Sequence, residues 1–493
     1  MWTELRVLDR DKMHALLSWA VSKGAYVSNS ISMSPPDAAV RGLIATEDIE
    51  TGSVLVTLPQ ALQLGVDSCD ASPGLQSMLN ATPSWSARLG LALCAETKRP
   101  SSPFEPYISE LPQTLSCSLA PEQVQAGFAS DLSAEHDRSK VLAAWPPTLA
   151  RVQQQRRALR SLYLRLVQSA DQPSDPPLEF SEFCWATAIA GSRAYRVRGS
   201  GESSGASDAA RLLPIIDLAN YAPAMRANAE LRHAPTDSAA ATGDGEGEGS
   251  AEETAGFSDD PFAVSLYACA PIRRGEEVLI DYGHGKEYCN ERLLLEYGFV
   301  MEEIPGDRLN LPLGAIAVGL SAAVQAAEKA EAAAAADGNG RGASVRELEV
   351  DEEELGGHQA RLLSELGDVD AAGLVFHGDG TPSAATHGLV LCLTARKAAE
   401  LNYPSIEALI TSSVKDHPEH SSRANLALST VASAAIEEMD GAMSAWVDVE
   451  RAAAQGTIQS EGGEALSSFE AAARDYCRSR RAILGRARAA LPQ

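Results

Sequence analysis

Ile215-Ile216-Asp217-Leu218-Ala219-Asn220-Tyr221, Ile280-Asp281-Tyr282-Gly283 and Tyr297-Gly298-Phe299 set acids, an amide and three tyrosines inside otherwise apolar sequence. Tyr282 closes the aliphatic run Val278-Leu279-Ile280, so it falls at a strand end, where a side chain can leave the sheet and face a ligand. Just upstream, Ile272-Arg273-Arg274-Gly275 is a turn that feeds this strand. The same pattern occurs early in the chain. Ile49-Glu50-Thr51-Gly52 sits between Val40-Arg41-Gly42-Leu43-Ile44-Ala45 and Val54-Leu55-Val56-Thr57-Leu58-Pro59. Two similar β-hairpins with glycine turns, parts of one interrupted sheet, are expected.

The sequence between them reads as helical. Ala87–Glu96 is apolar and helix-prone, Gln153–Val167 is rich in Arg and Leu at helical spacing, and Phe180–Ile189 is another helix, with Ser181 as a candidate cap. A further helix near the N-terminus carries Met13, Leu16, Leu17, Ala20 and Val21, with Gly24 as its stop. Residues 235–258 are Ala, Gly, Ser, Thr and acid and read as a disordered insertion; 328–345 is similar. Beyond about residue 300 the pattern is mostly helical. In the last helix Leu466, Phe469, Ala473, Tyr476, Arg480 and Ile483 share a face, and the neighbouring Arg474, Arg478, Arg481, Arg486 and Arg488 read as a solvated or salt-bridged face.

A chain of 493 residues exceeds one ordinary core, so several domains are expected. Its net charge of −26 argues against nucleic acid as a partner and suits a basic peptide or protein. Eight scattered cysteines without a CxxC pair argue against a zinc cluster, and no metal is expected. They fit reduced thiols in an intracellular compartment. No apolar run is long enough to cross a membrane, and the early acids are unlike a transit peptide. Taken singly, the polar residues leave roles open. Asp217 reads equally as a turn cap, Arg193 as a salt-bridge residue, Tyr195 and Tyr297 as core aromatics, and Tyr282 as a cross-strand partner. His284, alone on a Gly-rich loop, reads as solvated.

In order along the chain, six pieces resemble one family. They are Arg41-Gly42-Leu43-Ile44-Ala45 with Asp48-Ile49; Pro106-Tyr107 with Leu111-Pro112; Ser192-Arg193-Ala194-Tyr195; Asp217 to Tyr221; Gly275-Glu276-Glu277 through Phe299; and Asn290 before the final turn of that stretch. Together they resemble a SET-domain protein methyltransferase, specifically the branch of the Rubisco large-subunit lysine methyltransferase. The resemblance implies an α+β fold. Its SET-domain β-sheets would end in a threaded, knot-like C-terminal part, with a helical insert and a mostly α-helical C-terminal domain. The implied divisions are 1–85 (N-terminal helix and first part of the SET domain), 86–190 (helical insert), 191–300 (second part, interrupted by 235–258) and 301–493 (helical substrate-binding domain). Tyr476 to Leu484 is the best local match in the last of these.

The resemblance further implies S-adenosyl-L-methionine as cofactor and a lysine side chain of a non-histone protein as target, with the chain a monomer in the cytoplasm, nucleus or chloroplast. Tyr282 would be the catalytic tyrosine. Gly42, Leu43, Arg193, Asn220, Tyr221 and Phe299 would hold the cofactor, Arg193 by its carboxylate and Phe299 by the adenine. Tyr195, Asp217 and Tyr297 would face the substrate. Two departures stand out: Tyr221 occupies the place of the family's His, and the Gly283–Cys289 connection is longer. Histidine methylation, or a catalytically silent SET-like interaction module, are the alternative readings.

Overall fold

A computed structural model of the chain describes residues 15–34, 41–113, 115, 117, 145–169, 177–198, 208–233, 260–282, 288–302, 304, 306–311, 358, 374–395, 398–454 and 468–491. Residues 235–258, 328–345 and 283–287, His284 among them, lie outside the described residues. The chain divides into two compact units. One takes Met1–His136, Val152–Tyr288 and Leu295–Gly298; the other takes Asp137–Arg151, Cys289–Leu294 and Phe299–Gln493.

The strands of the first unit are β1 (Tyr26–Val27), β2 (Ile31–Met33), β3 (Leu43–Ala45), β4 (Val54–Leu58), β5 (Ala194–Arg198), β6 (Asp208–Leu212), β7 (Asn220–Tyr221), β8 (Ala229–His233), β9 (Val264–Ala268) and β10 (Leu279–Ile280). Six of them form one mixed sheet in the order β1-β4-β9-β8-β10-β7. Within it β4 lies between β1 and β9, and its Leu55, Val56 and Leu58 are all fully buried, as a continuous apolar run predicts for a strand covered on both faces. At the far edge β7 runs parallel to β10, with Leu279 opposite Asn220 and Ile280 opposite Tyr221. This pairing brings the Asn220 segment beside the strand that leads into Tyr282. Asn228 clips the same edge: its Nδ2 donates to the Glu277 carbonyl at 2.9 Å, and its Oδ1 accepts the Leu279 N–H at 2.8 Å.

Neither expected hairpin forms: β9 pairs with β4 and β8, and β10 with β7 and β8. β3 pairs with β2, whereas β4 pairs with β1 and β9, so the Gly52 turn joins strands of different sheets. The two glycine turns instead pair with each other. Ile49 and Ile272 exchange both backbone hydrogen bonds, at 2.8 and 3.0 Å; the Gly52 N–H donates to Ala268 O, and the Gly275 N–H to Ala45 O. Both glycines have positive φ, 91° and 85°, which a side chain would disfavour. The repeated turn pattern thus marks mutual partners of one core.

Helices Trp85–Lys98 and Phe180–Arg193 pack closely because Gly90 has no side chain; a Cβ there would lie 2.9 Å from the Thr187 backbone. Ser84 caps the first, accepting the Ala87 N–H. The second is capped by Glu179, with Glu182 completing the box, and Ser181 lies inside the helix. Leu91, Leu159, Leu162, Leu166, Phe183 and Cys184 form the apolar cluster of this helical part. Near the N-terminus, a helix over 15–22 buries Leu16 and Ala20 and stops at Gly24, φ 92°.

The second unit holds the antiparallel pair β11 (Arg308–Leu311) and β12 (Leu374–His377) and the helices Ala384–Thr394, Ile406–Asp416, Pro418–Ala454 and Ser468–Ala490. The last helix buries Ala473, Tyr476, Ile483 and Leu484. Arg480 shares that face and is fully buried, paired with Asp307. Arg481 is exposed and pairs with Asp440.

Candidate active site

The site begins with a strained turn. The Ile216 N–H donates to Pro214 O at 2.8 Å, closing a γ-turn on Ile215, which has φ 71° and ψ −50°. A buried β-branched residue rarely adopts that conformation, and it persists only where its surroundings over-determine it. The turn delivers Asp217 into the interior at 6% exposure. Two donors meet one of its oxygens: the Tyr107 hydroxyl at 2.8 Å and Arg193 Nη1 at 3.3 Å, both on Oδ2. Arg193 Nη1 also donates to the Asp217 carbonyl at 3.1 Å. Oδ1 is buried without a hydrogen-bond partner among the described residues. Burial raises the Asp217 pKa, opposed by Arg193 and by the Tyr107 hydrogen bond.

Two residues on, the Ala219 carbonyl accepts the Tyr282 hydroxyl at 3.0 Å. Around Tyr282 stand Tyr195 (ring centroids 6.3 Å apart, edge-on), Tyr221 (5.4 Å) and Tyr297 (5.1 Å). Tyr288 extends the group, 5.6 Å from Tyr221 and 6.0 Å from Tyr297. Its hydroxyl also donates to the Tyr282 carbonyl at 3.4 Å. Tyr297 ends a five-residue π-helical turn, Leu293–Tyr297, and is followed by Gly298 with φ 80°. Such turns distort the helix to aim one side chain. Burial pushes the hydroxyls of Tyr195, Tyr282 and Tyr297 above the usual tyrosine range and Tyr221 up to about 12, so all four are protonated at neutral pH.

Beside β7, the Gly42 backbone approaches two side chains: a Cβ on it would lie 2.5 Å from both Asn220 Nδ2 and Glu277 Oε1. Asn220 Nδ2 donates to Glu277 Oε1 at 2.5 Å and to the Arg41 carbonyl at 3.1 Å. Leu43 is buried next to it. The Gly42 N–H donates to Ser34 Oγ at 2.9 Å. Arg41 turns outward to Glu110, 2.7 Å away.

The expected residues therefore gather in three linked groups of the first unit: Gly42, Leu43 and Asn220; Arg193 and Asp217; and Tyr195, Tyr221, Tyr282 and Tyr297. Phe299 falls in the second unit, where it is half-buried. Arg193, expected to meet a cofactor carboxylate, has Nη1 on Asp217. Sequence reasoning assigned no role to Tyr107, Glu277 or Tyr288. Pro106-Tyr107 was visible as a motif, but its partner lies 110 residues away. A cavity of about 220 Å³ among the helices, lined by Leu75, Met78, Leu91, Lys98 and Arg99 among others, includes none of the candidate residues.

No family model matches the chain. Its sequence is 25% identical over 272 residues to SET domain-containing protein 4 of Mus musculus, covering 54% of this chain and 53% of that protein. It is 26% identical over 330 residues to Protein SET DOMAIN GROUP 40 of Arabidopsis thaliana, covering 62% of each. To the actin-histidine N-methyltransferase of Dasypus novemcinctus it is 21% identical over 312 residues, 61% of this chain and 44% of that one. The chain thus spans about half to three-fifths of the length of the first two curated relatives. Among solved structures, the SET domain of LSMT bound to lysine and AdoHcy superposes with a TM-score of 0.60 at 15% identity, covering 98% of this chain and 91% of that one. Rubisco LSMT bound to AdoMet gives 0.58 at 15% identity, covering 97% and 91%.

Proposed function

We propose that this chain, which carries the SET-domain fold of the Rubisco LSMT type, is an S-adenosylmethionine-dependent protein methyltransferase acting on a lysine of a non-histone protein. The observation that carries the reading is the group of buried and half-buried tyrosines around Tyr282. The cofactor, when bound, supplies an activated methyl on a sulfonium.

The residues present fit such a group. Gly42 offers bare backbone against Asn220, and Arg193 is the last residue of the helix that leads into β5, with its cation beside Asp217. We assign Gly42, Leu43, Asn220 and the backbone of Tyr221 to the cofactor's amine and adenine ends, and Arg193 to its carboxylate.

The target amine must be neutral to attack. A free lysine has a pKa of about 10.4, so deprotonation near pH 7 costs about 4–5 kcal/mol. Burial among aromatic rings lowers that cost by disfavouring the ammonium, and the ring faces accommodate the alkylammonium product. Tyr282 is protonated and commits its proton to Ala219 O, which leaves its oxygen lone pairs for the amine. Asp217 presents a carboxylate oxygen without a donor among the described residues, and we assign it to a donor of the substrate. A target histidine is the second reading, favoured by the likeness to an actin-histidine N-methyltransferase.

The test is transfer of label from radiolabelled S-adenosylmethionine to proteins of a lysate, run beside Tyr282→Phe. Labelled peptides identified by mass spectrometry as methyl-lysine support the reading, and methyl-histidine replaces its finer part. Cofactor binding without transfer would leave an interaction module, and absence of cofactor binding would sink the proposal altogether.

A further inference from the structure

We propose that Tyr107, in the helical insert, is a positioning residue that sets the hydroxyl of Tyr282 by fixing the Asp217 turn. The proposal rests on the reading of Tyr282 as the catalytic tyrosine.

The links are continuous. Tyr107 is 2% exposed and donates to Asp217 Oδ2 at 2.8 Å. Asp217 donates its own N–H to Leu213 O at 2.9 Å, across the strained γ-turn on Ile215. The Ala219 N–H donates to Ile216 O at 3.0 Å, and the Ala219 carbonyl receives the Tyr282 hydroxyl at 3.0 Å. A turn held at φ 71° on a buried isoleucine needs external pins. Its side-chain pins are Tyr107 and Arg193. Because Oδ1 has no partner among the described residues, the tilt of the carboxylate rests on the two donors at Oδ2. Without the Tyr107 hydroxyl only Arg193 remains there, at 3.3 Å.

The charged and titratable groups that act on Asp217 are Arg193, Tyr107 and Arg41, and Asp217 in turn acts on Tyr195 and Tyr282. Of these, Tyr107 is a neutral donor that stabilises the carboxylate by hydrogen bonding, so its hydroxyl can be removed without changing the net charge.

The experiment uses the full chain as Tyr107→Phe, Asp217→Asn and the double variant. The phenyl ring keeps the packing and deletes only the donor. The expected result is a fall of about tenfold in kcat, the effect of one hydrogen bond to a charged group, with cofactor affinity changed less than about twofold. The acid limb of the rate profile moves to higher pH in Tyr107→Phe, because the carboxylate loses a donor. The two substitutions combine non-additively, because both act through one carboxylate.

A readout independent of activity accompanies this. Infrared titration of ¹³C-aspartate-labelled protein, with the band assigned by its loss in Asp217→Asn, should show Asp217 titrating higher in Tyr107→Phe. A lowered unfolding midpoint with unchanged kcat, pH limb and aspartate titration means a merely structural tyrosine and overturns the proposal, as do additive effects. If the infrared shift is present while the wild-type chain transfers no methyl group, the coupling of Tyr107 to Asp217 stands and the functional reading is what fails.

Discussion

Two carboxylates are buried to nearly the same degree, Asp217 in the first unit at 6% exposure and Asp307 in the second at 7%, and they are treated oppositely. Asp307 is saturated. Oδ1 accepts the N–H groups of Asn290 at 3.0 Å and Arg308 at 3.1 Å; Oδ2 accepts Asn290 Nδ2 at 2.9 Å, the Ser479 hydroxyl at 3.3 Å and Arg480 Nη2. Asn290 then closes a loop by exchanging two hydrogen bonds with the Met301 backbone, both 2.8 Å. Among the described residues Asp217 has two side-chain donors, both on one oxygen. A buried acceptor without a donor costs about 1–3 kcal/mol, and folds rarely carry that cost without a use for it. Burial is therefore the same for the two carboxylates, and the count of donors among the described residues is what separates them.

The strongest way to break this comparison is at Arg480. Arg480→Met strands Asp307 without its cation, and breaking one half of a buried pair costs about 3–5 kcal/mol. Denaturant unfolding of the full chain should show it as a lower midpoint, and a loss below about 1 kcal/mol would mean that the saturated network is not structural. On the other side, Tyr282→Phe should cut methyl transfer by about a hundredfold while leaving the midpoint in place. Equal transfer by the two proteins would remove Tyr282 from the chemistry.

Smaller, and more discriminating, is the same substitution made at both carboxylates. Asp307→Asn replaces an acceptor by an NH₂ group facing donors and should destabilise. Asp217→Asn keeps an acceptor for Tyr107, and the cation it leaves, Arg193, is 23% exposed where Arg480 is fully buried, so it should lose less stability at neutral pH than Asp307→Asn, yet lower the transfer rate. If the two variants lose equal stability, Asp217 is as structural as Asp307.

Much of the first unit was legible because its signals are local or repeat. The glycine turns at Gly52 and Gly275, the apolar strand Val54–Leu58 and the tyrosines at strand ends each announce themselves within a few residues. What those signals pair with was not legible. The Gly52 turn looked like a hairpin because pairing is set by partners more than 200 residues away, Ile49 with Ile272. Tyr107 was seen as part of a motif, but its meaning depends on an oxygen 110 residues distant. Arg480 looked like one more arginine on an apolar face. Only the fold shows that it answers Asp307, an acid for which no local pattern gave a role. The start of Phe180–Arg193 is the same lesson at short range: Ser181 is a good capping residue type but lies inside the helix, and Glu182 takes the Glu179 N–H instead.

The smallest expected effect is on the pH dependence of stability, and it has a definite sign. The folded-state pKa of Asp217 is raised by burial above the ordinary carboxylate value of 3.8. Between the unfolded and the folded value the native state binds the proton more tightly, so stability is full below the unfolded pKa and falls as pH rises through the folded one. Arg193 and Tyr107 oppose the shift without cancelling it. Unfolding free energies measured at pH steps upward from about 4 should therefore fall less steeply in Asp217→Asn than in the wild-type chain. The Tyr107→Phe variant, which withdraws a donor from the carboxylate, should carry the fall to higher pH. A wild-type slope unchanged by Asp217→Asn would mean that Asp217 gains its missing partner in solution, and the contrast with Asp307 would then vanish.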